Sequence, residues 1–248
     1  MIKIPTQKLH FRRFEFKYLL SRNLVNLILP ILLNHMHLDP YAKKKGSYLV
    51  SSIYYDSPEF HTYHEKIDGV NPRKKYRLRF YQEKPDPKQN IFFEVKRRDD
   101  VVVTKDRVLI KTKDLSKDNL LNIFKKHAIN ENQTYSEIYT DFLKHNLQEK
   151  VFLSYTRIPF FSNYDFDTRV TIDQDITAQK LNSANNLNQN AKSDVYPQLS
   201  ILELKCNNLI PEWFNNIVHQ YSLQRVSFSK YATSVNSLYN MGDYFVFE

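Results

Sequence analysis

Lys74-Lys75-Tyr76-Arg77-Leu78-Arg79-Phe80-Tyr81 alternates strictly between two kinds of side chain. In an extended strand successive residues point to opposite faces, so Lys75, Arg77 and Arg79 share one face and Tyr76, Leu78 and Phe80 the other. The same split recurs in Arg13-Phe14-Glu15-Phe16-Lys17-Tyr18, in Phe92-Phe93-Glu94-Val95-Lys96 and in Leu202-Glu203-Leu204-Lys205. A solvated outer face over a buried inner one is the ordinary account of any single such strand. Four strands of this kind, in a chain that also has several helices, invite another. Helices packed on the apolar faces would turn the charged faces inward, and a sheet closed on itself would then enclose a basic lumen.

Period-2 alternation predicts strands near Arg12–Tyr18, Tyr48–Tyr55, Lys74–Tyr81, Ile91–Arg97, Thr104–Ile110, Val151–Arg157, Arg169–Asp173, Leu199–Cys206 and Val226–Tyr231. Helical spacing and caps predict helices at Ser21–Leu33, Leu115–His127, Tyr135–Gln148, Pro211–Tyr221 and Ala232–Tyr239. The class is α+β, mainly antiparallel β. The 248 residues are expected to form a single domain, with its core at about residues 11–240 and an Asn- and Ser-rich mobile surface loop at 182–197.

Composition removes several functions. Hydrophobic residues at 42%, with 17 Tyr and 17 Phe, supply a full core and exclude general disorder. The longest apolar run, Leu24 to Leu33, is interrupted by Asn26 and Pro30 and falls far short of the roughly 20 residues that span a bilayer. Nothing in the first residues resembles a secretory signal, so a cytoplasmic location and no transmembrane segment are expected. One cysteine, Cys206, makes no internal disulfide and no zinc cluster, and is expected on a half-buried strand. The three glycines, Gly46, Gly69 and Gly242, lie too far apart for a Walker loop or a GxGxxG turn. A phosphate site in this chain must be built from side chains.

The formal net charge of +9 points to a polyanionic partner. Alternation nominates Arg13, Lys17, Lys75, Arg77, Arg79, Lys96, Lys105, Arg107, Arg157, Arg169, Lys205 and Lys230 as cations lining one face. Among them stand Glu15, Glu94, Asp173 and Glu203. Hard cations such as Mg²⁺ or Mn²⁺ take oxygen ligands from one or two carboxylates plus substrate phosphates. Glu203 is therefore read as a ligand. Glu15 and Glu94 are either ligands or internal partners of arginine. His35-x-His37 and His61-x-x-His64-Glu65 lack a third partner in sequence and are read as surface polar residues, Trp213 as a helix anchor and Tyr231 as a core residue.

In order along the chain, Phe14-Glu15-Phe16-Lys17-Tyr18, Ser52-Ile53-Tyr54-Tyr55-Asp56, Tyr63-His64-Glu65-Lys66 and Arg73-x-Lys75-x-Arg77-x-Arg79-x-Tyr81 resemble the VTC domain of polyphosphate polymerases. Phe93-Glu94-Val95-Lys96, Lys105-x-Arg107, Tyr155-x-Arg157, Arg169-x-Thr171-x-Asp173, Leu202-Glu203-Leu204-Lys205 and Ser227-Phe228-Ser229-Lys230-Tyr231 continue the resemblance, from about Phe11 to Tyr239. That family falls within the triphosphate tunnel metalloenzymes, the CYTH superfamily. The resemblance implies an eight-stranded closed tunnel barrel with helices outside. It also implies an ATP-binding transferase that adds the γ-phosphoryl of ATP to inorganic polyphosphate and depends on Mn²⁺ or Mg²⁺. By the same resemblance Lys17, Arg77, Arg79, Lys96, Arg157, Arg169, Ser229 and Lys230 would hold triphosphate or the growing chain, with Lys105 and Arg107 joining them, and Glu203 would bind metal. Other members of the superfamily hydrolyse tripolyphosphate or nucleoside triphosphate, which is the second enzymatic expectation. A polyphosphate- or nucleic-acid-binding module without catalysis is the third, though Tyr76 and Phe80 lie opposite the cations rather than beside them, against base stacking.

Overall fold

The computed structural model describes residues 14–83, 90–100, 102–111, 119–129, 133–162, 168–181, 192–207 and 209–242. Ten strands and six helices form among them. The strands are β1 (Phe14–Ser21), β2 (Met36–Leu38), β3 (Tyr48–Asp56), β4 (Arg73–Phe80), β5 (Ile91–Asp99), β6 (Val102–Ile110), β7 (Gln148–Ser162), β8 (Arg169–Lys180), β9 (Ser193–Asp194) and β10 (Leu199–Cys206). The helices are α1 (Arg22–His35), α2 (His61–Ile67), α3 (Leu120–Ala128), α4 (Gln133–His145), α5 (Glu212–Gln220) and α6 (Lys230–Tyr239). No helix among the described residues is long and apolar enough to cross a membrane. The chain divides into two compact units, neither continuous in sequence.

In the first unit, which includes Ser51–Leu153, β3, β4, β5 and β6 pair antiparallel in chain order. Tyr76, Leu78 and Phe80 of β4 lie on the same face as Ile91, Phe93 and Val95 of β5 and Val108 and Ile110 of β6. The helices α3 and α4 cover that face with Leu120, Ile123, Phe124, Ile138 and Phe142. Phe93 anchors the layer, edge-on to Phe124 at 4.9 Å between centroids and tilted to Phe142 at 5.6 Å. At its margin the bidentate pair of Arg97 with Glu137, at 3.0 and 2.6 Å, and the pair of Lys74 with Asp141, at 2.8 Å, tie α4 to the sheet.

In the second unit β1 pairs β10, which pairs β8, while β2 pairs β7, all antiparallel. Tyr18 and Leu20, Leu202 and Leu204, and Val170 and Ile172 form the apolar face, covered by Val25, Ile28 and Leu32 of α1 and Phe214 and Ile217 of α5. Helix α1 starts where Ser21 Oγ accepts from Leu24 N–H at 3.3 Å. Trp213 packs against this cluster, and Cys206, expected half-buried, is fully buried within it.

The closed barrel is not what forms. Among the described residues the strand order has two ends, β1 and β6, each paired with one neighbouring strand, so the sheet is open. At β1 the reason is visible. Val226 N–H donates to the Lys17 carbonyl at 2.9 Å and Arg225 bridges Tyr18, so an irregular segment occupies the edge that closure would need. That segment is also why no strand runs over Val226–Tyr231. Ser229 Oγ instead accepts from Ala232 N–H at 3.3 Å and starts α6, in which Tyr231 is buried. Of the loop expected at 182–197, residues 182–191 lie outside the described residues, whereas Ser193–Asp194 pair with β8 as β9.

Candidate active site

Each unit carries a charged face opposite its helix-covered one. In the first, the registers align cations across three strands. Lys75, Lys96 and Lys105 form one row, and Arg77, Glu94 and Arg107 the next. Like charges directly opposite on a sheet are destabilising, so the lysine row is a standing cost that a bound anion would offset. The face is not a solvated exterior: the side chains of Arg77, Arg79 and Glu94 are 19%, 9% and 3% exposed.

Glu94 organises this cluster. Its Oε2 accepts from Nε and Nη2 of Arg77 at 2.8 and 2.7 Å, and its Oε1 accepts from Lys105 Nζ at 3.0 Å. Arg79 Nη1 lies 3.6 Å from Oε2. Burial alone would raise the Glu94 pKa, but Arg77, Arg79 and Lys105 outweigh it and hold the carboxyl well below the usual range. Tyr54, opposite Arg77 in register, accepts from its Nη1 at 3.1 Å, and Ser52 Oγ accepts from Arg79 Nε at 3.5 Å. The Arg107 guanidinium lies over the Phe92 ring, 4.8 Å from its centroid.

In the second unit Asp173, wholly buried, plays the corresponding part. Both its oxygens accept from Arg157, through Nε at 2.7 Å and Nη2 at 2.8 Å, and Lys230 Nζ lies 2.6 Å from Oδ2. Burial would raise its pKa, yet Arg157 and Lys230 bring it down to about 2. Arg157 and Lys230 both lie against the ring of Tyr155, at 5.2 and 4.9 Å. Lys17 donates to the Phe228 carbonyl at 2.7 Å, and Lys205 Nζ is 3.4 Å from Glu203 Oε1. Glu203 is buried, which raises its pKa, but Lys205, Lys17, Lys230 and Arg157 hold it well below the usual range. Arg169 pairs in register with Lys205, is exposed, and has no ion-pair partner among the described residues.

Of the residues nominated by sequence, Arg77, Arg79, Lys105 and Glu94 come together in one unit with Lys75, Lys96 and Arg107 on the same face. Lys17, Arg157, Lys205, Glu203 and Lys230 come together in the other, with Arg169 and Glu15 in the adjoining register. Arg13 lies outside the described residues. Ser229 enters as the cap that sets Lys230 as the first residue of α6. Alternation overlooked Tyr54, although its place two residues from Ser52 put it on the charged face. The histidines stand apart: His35 stacks on Trp213, and His61 pairs with Glu65 at 3.2 Å.

Among the described residues no three His, Cys, Asp or Glu side chains converge as a metal cage. Mg²⁺ and Mn²⁺ need none where phosphates complete the shell. Glu15 faces Lys205 and Glu203 faces Lys17 across β1 and β10, so the two carboxylates are diagonal neighbours on one face. Two hard oxygen donors so placed fit such an ion. Glu94 fits poorly, because both its oxygens already accept from cations.

A family model for the VTC domain matches residues 12–239. The chain belongs to the VTC domain family. No curated protein matches this VTC domain in sequence. Among solved structures, a candidate adenylate cyclase from Bacillus halodurans is similar in fold at 11% identity, covering 91% of this chain and 96% of its own, with a TM-score of 0.50. A second candidate adenylate cyclase, from Vibrio parahaemolyticus, is 12% identical, covers 90% and 97%, and has a TM-score of 0.44.

Proposed function

We propose that this VTC domain is a metal-dependent polyphosphate polymerase, transferring the γ-phosphoryl of ATP to a growing inorganic polyphosphate chain and releasing ADP. The observation that carries the proposal is the Lys75–Lys96–Lys105 row beside Arg77 and Arg79, a face on which cations outnumber carboxylates among the described residues. Membership of the VTC family supports a phosphate substrate. The rings of Tyr76 and Phe80 are buried under α3 and α4, which speaks against stacking of nucleic-acid bases there.

In the transfer, a terminal phosphate oxygen attacks the γ-phosphorus as the bond to the β-bridging oxygen breaks. Nucleophile and leaving group are both phosphate oxygens, so positioning and charge stabilisation do the work and no side-chain base is required. Arg77 and Arg79 project from one strand two residues apart and present forked donors to neighbouring phosphoryl oxygens. Lys75, Lys96 and Lys105 add point charges on the same face; within the second unit Lys17, Lys205, Lys230 and Arg169 form a separate basic face that suits phosphate oxygens in the same way. Glu203 and Glu15 would hold a divalent cation, which when bound would supply positive charge to offset charge developing on phosphate.

The test is incubation with γ-³²P-labelled ATP and Mn²⁺ or Mg²⁺, with products resolved by gel and thin-layer chromatography. A labelled ladder with ADP, abolished by Glu203→Ala, is expected. Label released only as free phosphate would refute the polymerase in favour of a phosphohydrolase. Binding of polyphosphate with no turnover would refute catalysis.

A further inference from the structure

Glu94 sits in the middle of a site that attracts anions, buried and negatively charged. Such a group opposes phosphate binding, and both its oxygens are committed to cations, so ligation of a metal does not explain it. Its contacts do. Arginine carries rotamer freedom that must be given up when its fork meets a phosphate. Arg77 has already given it up: Nε and Nη2 are held by Glu94, and Nη1 by the Tyr54 hydroxyl at 3.1 Å. Arg79 and Lys105 are drawn to the same carboxylate from either side, at 3.6 and 3.0 Å. The second unit repeats the device, with Asp173 gripping the fork of Arg157 and the ammonium of Lys230.

We propose that Glu94 is a positioning residue, whose carboxylate fixes Arg77 and gathers Arg79 and Lys105 so that phosphoryl oxygens meet donors already in place. The proposal rests on the phosphoryl-transfer reading of the site. It separates two quantities that a structural role would move together. Without Glu94 the face is more positive, so anions bind at least as tightly, while transfer slows by about 10- to 100-fold because the donors must be ordered during the reaction.

The experiment compares wild type with Glu94→Gln by three measurements. These are the ¹⁵N spectrum of arginine Nε–H groups, with the Arg77 signal assigned through Arg77→Lys; calorimetric titration with inorganic tripolyphosphate; and steady-state transfer against ATP and Mn²⁺. The expected result is a resolved, slowly exchanging Arg77 signal in wild type that vanishes in the variant. Tripolyphosphate affinity should be kept or increased, kcat reduced, and the Mn²⁺ half-activation concentration unchanged. Persistence of the Arg77 signal overturns the proposal, as does a tenfold rise in the Mn²⁺ required, which would make Glu94 a ligand. If wild type transfers nothing, the polymerase reading fails while the spectrum and the titration still decide the positioning role. Should Glu94→Gln unfold, Glu94→Gln/Lys105→Gln, which removes one stranded cation, carries the same measurements.

Discussion

Asp173→Asn should destabilise the second unit strongly at neutral pH and hardly at all in acid. The carboxyl is wholly buried and held at about 2, whereas an unpaired Asp titrates near ~3.9 in an unfolded chain; at about 1.4 kcal/mol per unit the difference contributes about 2–3 kcal/mol. A neutral amide also leaves Arg157 and Lys230, 13% and 12% exposed, without a counter-charge, a change that costs about 3–5 kcal/mol when one partner of a buried pair is removed. These are two views of one interaction and do not add, so a loss of about 3 kcal/mol is expected, or roughly 6–12 °C in Tm for a chain of this size. The sign of the pH dependence follows from the depressed pKa. The stabilisation is complete above about pH 4, where the unfolded carboxyl is also ionised, and is lost as pH falls toward about 2. Urea titrations of both proteins at steps from pH 7 to 2.5 test this. A variant within about 1 kcal/mol of wild type at pH 7, or a gap that does not narrow below pH 4, would refute the account of Asp173 as the anchor of the cluster.

Further outcomes follow from individual contacts. Arg77→Ala should destabilise by about 1–3 kcal/mol, because Glu94 loses two contacts while keeping Lys105; transfer should fall by about 10- to 100-fold. Urea melts and ADP release measure the two. Lys96→Gln breaks the row with Lys75 and Lys105 and should stabilise the anion-free protein by a few tenths to about 1 kcal/mol, while reducing the rise in Tm that tripolyphosphate produces; scanning calorimetry with and without the anion checks both. Ser229→Ala removes the cap of α6, which should cost about 1 kcal/mol and weaken tripolyphosphate binding through displacement of Lys230, measurable by thermal melts and titration calorimetry.

The strands around Lys74–Phe80 were legible because their alternation is unbroken, and the helices that cover them because their caps and apolar spacing are ordinary. Where the sequence misled, the backbone departs from those rules. Asp175 takes a positive φ of 51° inside β8, breaking alternation just beyond Asp173, where the predicted strand stops. Pro159 stands inside β7 and, lacking an N–H, argues against a strand that nevertheless runs on to Ser162. Helix α2 follows Phe60 in the left-handed region and is held by Asp56, which accepts from Thr62 and Tyr63 N–H groups six and seven residues on, farther than any local capping pattern reaches. Closure was expected from the resemblance, and nothing in the spacing of residues 225–228 announces that they lie along the edge of β1. The charged face itself could be read. The partner of each cation could not, since Glu94 meets Arg77 only once the register of β4 on β5 is known.

That register also explains how carboxylates fit into the proposed phosphate site. A face of cations alone would be disordered by its own repulsion, and one neutralised in full would have no pull on phosphate. In the first unit Lys75, Arg77, Arg79, Lys96, Lys105 and Arg107 share a face with Glu94, and that carboxylate is spent on ordering three of them. In the second, Lys17, Arg157, Arg169, Lys205 and Lys230 share theirs with Glu15, Asp173 and Glu203. Asp173 is spent in the same way as Glu94, while Glu203 and Glu15 stand as diagonal neighbours across β1 and β10. Under the proposed function, a divalent ion arriving with its own positive charge would meet that pair of carboxylates in the second unit.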